Sequence, residues 1–227
     1  MARNAGARLA SGEYLCWLDA DDRIEPDFAR ALIDRSREQS CDFAFCDFQG
    51  LDENGRPANG RAYSFDWPLA HNITDLLVRG GLFPPVCAIG RRAAFPEFPS
   101  GMDGHADYAV WLDVSLQGKK FCHVPRALAY YRQYSSGMSR DRQHMELSAQ
   151  AALAYNARKH PKAFFEAIQG LQRNCFTVEQ LCLYRPSSRQ RLFQILRIPP
   201  LRTMIRDWRK RRGTVKSGAP HSGAPSR

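Results

Sequence analysis

YLCWLDADDRIEPDF, residues 14–28, is the stretch on which the fold reading turns. Tyr14–Leu18 is a short continuous apolar run that breaks at once into Asp19, Ala20, Asp21 and Asp22. Such a run, bounded by turn-forming residues, has the pattern of a buried central strand ending at a carboxylate cluster. Pro26 then stands in the first turn of a helix, with Glu25 and Asp27 beside it to complement the positive end of the helix dipole. Phe28, Leu32 and Ile33 continue a core-facing stripe towards Glu38. CDFAFCDF, residues 41–48, reads as a second strand, closed by the turn residues of LDENGRPANG. Strand, helix and strand over 14–48 make the repeating unit of an α/β sheet.

Working outward, 72–79 reads as a short helix, 84–89 as an extended segment, and 107–116 as a helix closed by Gly118. FCHV at 121–124 is a strand, followed by the aromatic segment ALAYYRQY. Helical patterning recurs over 139–160, 164–171 and 178–184. Leu201, Met204, Ile205 and Trp208 share one face of a further helix, and GTVKSGAPHSGAPSR at the end has the composition of a disordered tail.

The chain has 227 residues, 44% hydrophobic and 25% charged, which excludes wholesale disorder. It contains no apolar run of 18 residues and no apolar stretch behind a basic N-terminus, so neither a membrane-spanning helix nor a secretory signal is expected. A cytoplasmic location is expected, peripheral to the inner face of a membrane if the basic end acts as an anchor. The net charge of +10 is local: residues 185–227 hold twelve Lys/Arg against the single acid Asp207, and the rest of the chain is close to neutral. That argues against a basic groove for nucleic acid. The amphipathic region 188–212 suits an anionic membrane surface, or equally a helix packed on the domain with a solvated basic face. Seven cysteines at irregular spacing, with no CxxC, read as buried reduced thiols, Cys16 among them.

LDADD carries the sharpest chemistry. Residues two apart on a strand point the same way, so Asp19 and Asp21 are expected to converge at the strand's C-terminal end, where α/β sheets bind ligands. Paired carboxylates at such a turn suit Mg²⁺ or Mn²⁺ holding phosphate oxygens. Acids at strand ends also serve as turn formers and helix caps, and the motif alone does not separate the two readings.

ARNAGARLASGEYLCWLDADDRIEPDF resembles the middle of a family 2 glycosyltransferase domain of the GT-A fold, in which an RN-x-G…A-x-G segment and an apolar strand lead to D-x-DD and a Pro-led helix. Arg3, Asn4, Gly6, Ala10, Gly12, Tyr14, Asp19, Asp21, Asp22 and Pro26 match in register. HADYAVWLDVSLQGKKFCHVPRALAYYRQYSSGMS, from residue 105, is similar to the family's acidic D-Y-x-x-W-L block and the strand that ends in YR.

The resemblance implies a partial GT-A sheet over 1–140, a helical extension over 141–212 and a disordered 213–227. It implies transfer of a sugar, with inversion, from a nucleotide-diphospho-sugar to a saccharide or lipid-linked acceptor hydroxyl. In that reading Asp19, Asp21 and Asp22 hold Mn²⁺ or Mg²⁺. Arg3, Asn4 and Arg132 bind the donor, Asp107 is the general base, and Trp111 lines the acceptor pocket, although from its own position Trp111 reads rather as a core tryptophan. Ala106 stands where the family usually has Glu, and Tyr134 where some members have His. The family's nucleobase-binding half would precede Arg3, so a truncated form with weak or lost donor binding, or an inactive interaction module, is also expected.

A haloacid-dehalogenase-type phosphatase shares the D-x-D signature, and GMDGHAD (101–107) imitates its second acidic motif. Arg23 stands where that class needs Thr or Val, and no Lys precedes Lys119. Arg23 also rules out an EF-hand loop.

Overall fold

The computed structural model describes residues 2–58, 74, 83–102, 104–137 and 141–174. Five helices and five strands are used below: α1 (Ala2–Leu9), β1 (Tyr14–Cys16), β2 (Arg23–Ile24), α2 (Phe28–Glu38), β3 (Phe43–Leu51), β4 (Ala88–Arg91), α3 (Ala106–Leu116), β5 (Phe121–Arg132), α4 (Arg142–Lys159) and α5 (Pro161–Asn174). The α/β class expected from the sequence is observed. The strands form one mixed sheet in the order β1-β4-β3-β5-β2. Of the pairings, β3–β5 is parallel, while β1–β4, β3–β4 and β2–β5 are antiparallel.

The apolar run at 14–18 is not a central strand. β1 covers three residues, lies at one end of the sheet, and has one buried residue, Leu15. Trp17 leaves the strand to pack edge-on against Phe95 and Phe98, with ring centroids 6.0 and 5.4 Å away, and Leu18 is exposed. The run is apolar because Leu15 is buried in the sheet edge and Trp17 meets a distant loop, not because a strand is covered on both faces. Cys16 is likewise exposed, whereas Cys41, Cys46, Cys87 and Cys122 are buried free thiols as expected. Pro26 lies in the turn before α2, which starts two residues later at Phe28.

β3 is the centre of the sheet, and eight of its nine residues are buried. β5 joins into one strand the two segments that the sequence separates. Cys46 faces Val124 but Asp47 faces Ala127, so Pro125 and Arg126 bulge out, and a second shift follows before Phe48↔Ala129. Proline has no N–H to give the ladder, so a proline within a strand is accommodated at a bulge. Before 85–89 becomes β4 it makes a 3₁₀ turn at Pro85–Cys87. Within 72–79 only Thr74, helical and buried, is described; the helices expected at 178–184 and 201–208, the region 188–212 and the tail lie outside the described residues.

α3 is apolar around most of its circumference, with Tyr108–Ser115 all buried, as befits a helix covered on more than one side. Trp111 is 1% exposed and sits among Phe43, Phe83 and Phe95, with centroids 5.1–6.0 Å apart. α4 locks against α3 through the buried Asp113, which accepts from Lys159 (2.6 Å), the His160 ring (2.6 Å) and Gln117 (2.8 Å). Burial raises that carboxyl, but these donors outweigh it and hold it below the usual carboxylate range. Among the described residues no helix is long and apolar enough to cross a membrane.

Phe43 lies directly over Gly90, its cross-strand neighbour: a Cβ at 90 would stand 2.3 Å from the ring. Gly90→Ala is therefore expected to destabilise the fold by roughly 1–3 kcal/mol through overpacking. Urea unfolding measures this, and an unchanged midpoint would show that the ring yields freely.

Candidate functional site

The site lies where the β1–β2 loop meets the end of β5, the N-terminus of α3 and helix α1. β1 has already ended at Cys16, so Asp19–Asp22 is not strand. It is a turn closed by the Asp22 N–H donating to the Asp19 carbonyl at 3.1 Å. Strand alternation, expected to bring Asp19 and Asp21 together, does not apply to this turn.

Arg132 holds the turn in place. Its N–H donates to Asp22 Oδ1 (2.9 Å), its Nε to the Asp21 carbonyl (3.0 Å) and its Nη1 to the Glu53 carbonyl (2.9 Å). Glu53 in turn accepts from the Ser135 N–H at 2.6 Å. The guanidinium thus ties the acidic turn to the turn after β3. Burial pushes the Asp22 carboxyl up to about 6; the Arg132 N–H opposes this, and the charges of Asp21 and Asp19 add to it.

Arg3 reaches the same turn from α1. Its Nη2 lies 3.1 Å from both Asp19 oxygens, and its guanidinium also stacks over Phe98, 5.3 Å from the ring centroid. The adjacent Asn4 has a different task from the donor contact expected of it. It is buried, its Nδ2 donates to the Phe98 carbonyl (3.0 Å) and its Oδ1 accepts the Phe98 N–H (2.8 Å). Both ends of the amide are committed to fastening α1 to the 95–98 segment. Arg8 adds a second tie to Glu97 at 3.0 Å.

Asp107 stands in the first turn of α3 and is half-buried. Burial raises its carboxyl, countered by the Tyr108 N–H and by the charges of His105 and Arg3. The turn before it is strained: Gly104 and the non-glycine His105 both have positive φ, at 74° and 47°. His105 is latched by Nδ1 to Ser148 Oγ of α4 at 2.7 Å. Trp111 is sealed in the aromatic core, as its position alone implies, and presents no surface to the acceptor that the resemblance assigned it.

One site neighbour was not singled out from the sequence. Tyr131 is half-buried, and after burial its hydroxyl is raised by the charges of Asp22, Asp107, Asp21 and Asp19 in turn. It therefore marks the point where the acidic turn and the α3 carboxylate approach one another. Its place beside Arg132 in the YYR string was the available signal. Among the described residues no group of three or more His, Cys, Asp or Glu is placed to enclose a metal ion.

The sequence pattern described as Glycosyl transferase family 2 matches residues 1–98. Over those residues the chain is similar to family 2 glycosyltransferases. The matched stretch contains α1, the acidic turn and the 95–98 segment, while Asp107, Trp111 and Arg132 lie beyond it. Solved structures similar to the chain include residues 1–349 of S. aureus TarS in complex with UDP-GlcNAc, at 15% identity and a TM-score of 0.43, covering 86% of this chain and 58% of that one. The same TarS fragment in complex with UDP gives 16% identity and a TM-score of 0.45, covering 92% and 70%. S. aureus TarS itself gives 16% identity and a TM-score of 0.46, covering 88% and 41%. The chain thus spans only part of the length of the TarS structures it matches. No curated protein matches the chain.

The raised Asp22 carboxyl sets a pH dependence. Its folded value of about 6 lies above the ordinary 3.8, so the stability it contributes is present below pH 3.8 and lost as pH rises through 6. Asp22→Asn keeps the oxygen that accepts from Arg132 and removes the titration. It is expected to be more stable than the parent at pH 7.5, with the difference vanishing at pH 4, measured by urea unfolding at both values.

Proposed function

We propose that the site transfers a sugar from a nucleotide-diphospho-sugar to an acceptor hydroxyl, with Asp107 as the general base. The glycosyltransferase family 2 match over the acidic turn carries the reading, and the half-buried Asp107 in the first turn of α3 supports it. The acceptor oxygen attacks the anomeric carbon, its proton passes to Asp107, and the bond to the diphosphate breaks with its electron pair leaving on the phosphate oxygen. Attack from the face opposite the leaving group gives inversion. A carboxyl raised by burial is a better proton acceptor near neutrality than an ordinary aspartate, which is what a general base requires.

The residues fit a hard divalent cation that takes most of its ligands from elsewhere. Such ions use one or two carboxylates together with substrate phosphate oxygens and water. Asp21 is exposed, and its carboxylate has no hydrogen-bond partner among the described residues; Asp19 is 45% exposed. Bound there, Mn²⁺ or Mg²⁺ would neutralise charge on the departing diphosphate. Arg132 keeps the turn in register for that task and Arg3 supplies a fixed positive charge beside it. Asp22, committed to Arg132, shapes the turn rather than offering a full carboxylate. A saccharide or lipid-linked hydroxyl as acceptor, and contact of 188–212 with an anionic membrane, belong to the same proposal.

Release of UDP from a UDP-hexose with Mn²⁺ tests it. Asp107→Asn is expected to lower the rate about a hundredfold or more with little change in donor KM, the loss that follows removal of a general base. Asp21→Asn is expected to raise the Mn²⁺ requirement. Turnover of p-nitrophenyl phosphate that depends on Asp19 would instead support the phosphatase.

A further inference from the structure

We propose that Arg3 and a divalent cation compete for the Asp19 carboxylate, and that a nucleoside diphosphate resolves the competition by drawing the guanidinium onto its own oxygens. The inference rests on the cation site of the proposed function and extends it to a coupling between metal and nucleotide.

A single nitrogen of Arg3 engages both Asp19 oxygens, at 3.1 Å each. A carboxylate held this way cannot present its face to a doubly charged ion while the guanidinium stays, because the two cations would repel at close range. The contact is nonetheless replaceable. The side chains are 34% and 45% exposed, and ion pairs of that exposure contribute about 1 kcal/mol or less, which corresponds to about fivefold in affinity.

The helix that carries Arg3 does not depend on this contact. Asn4 bonds the Phe98 backbone twice and Arg8 pairs with Glu97, so α1 stays fastened when the guanidinium turns away. The Phe98 ring lies under the guanidinium, 5.3 Å from it, as a surface on which it can pivot. Asp21, unencumbered among the described residues, is where a cation would land first. Once Asp19 is given up, Arg3 becomes a positive donor beside a diphosphate. Each ligand then eases the binding of the other, and the effect must be reciprocal.

The test follows Mn²⁺ binding to the full chain by the EPR signal of the free ion, first alone and then with UDP. Arg3→Gln is expected to bind Mn²⁺ about two- to fivefold more tightly than the parent when no UDP is added, the worth of the lost competitor. UDP should tighten Mn²⁺ binding in the parent and do so less in Arg3→Gln. Arg3→Lys, which keeps the charge but not the planar fork, should fall between them. Arg8→Gln loosens α1 without touching Asp19 and should match the parent, which separates competition from a displaced helix. Equal Mn²⁺ affinity in the parent and Arg3→Gln would overturn the competition while leaving the cation site standing. Absence of Mn²⁺ binding in every variant, with or without UDP, would overturn both.

Discussion

The parallel pairing of β3 with β5 is the constraint on which the remaining architecture rests. β3 supplies the buried centre of the sheet, and β5 runs beside it for its whole length before delivering Tyr131 and Arg132 to the acidic turn. Arg132 has two roles at once: its backbone N–H belongs to the end of a strand, while its side chain gathers two separate turns. A loop bearing three aspartates repels itself, and without a cationic strap on rigid structure it would spread into solvent. The sheet thus imposes on the turn an arrangement that its own charges oppose. Asp22 is harder to ionise than an ordinary aspartate chiefly because it is buried, and the charges of Asp21 and Asp19 add to that.

Charge balance around the turn follows the same logic from the other side. Arg3 and Arg132 approach from different elements, one through Asp19 and the other through Asp22 and the Asp21 carbonyl. Asp21 is left between a carboxylate paired with a guanidinium and one held by a backbone N–H. Positive charge from the protein therefore makes the cluster tolerable, and the same charge must be moved or shared when another cation or an anion arrives. α1 is suited to this because its anchorage to Phe98 and Glu97 is independent of Asp19.

Much of this was legible in the sequence, and the gaps have physical causes. β3 was readable because its aromatic-rich run is bounded by turn residues, and α3 because its apolar positions recur at helical spacing. The α/β class followed from those two elements and α2. The placement of Tyr14–Leu18 was not readable, because an apolar run looks the same whether it faces covering helices or a loop 80 residues away, as Trp17 does with Phe95 and Phe98. Asn4 shows the same limit: the RN dipeptide stood out as a motif, but its bonds to Phe98 are visible only in three dimensions. Asp19 and Asp21 were identified as neighbours for a reason that the turn replaces, and Trp111 was as much a core residue by its spacing as a pocket one. Tyr131 went unnoticed because only its place beside Arg132 in the YYR string hinted at what faces it.

The shifts in β5 have a consequence for which tyrosine occupies the site. Between Val124 and Ala129 the strand advances five positions while β3 advances two, from Cys46 to Phe48. The excess is odd, and side chains on a strand alternate, so the looped-out residues reverse the parity of everything that follows. Tyr131 turns towards the aspartates and Tyr130 towards Glu25 and Arg23 because of that odd excess. A deletion of one residue between 124 and 128 would exchange their places, leaving composition almost untouched while handing the candidate site a different phenol.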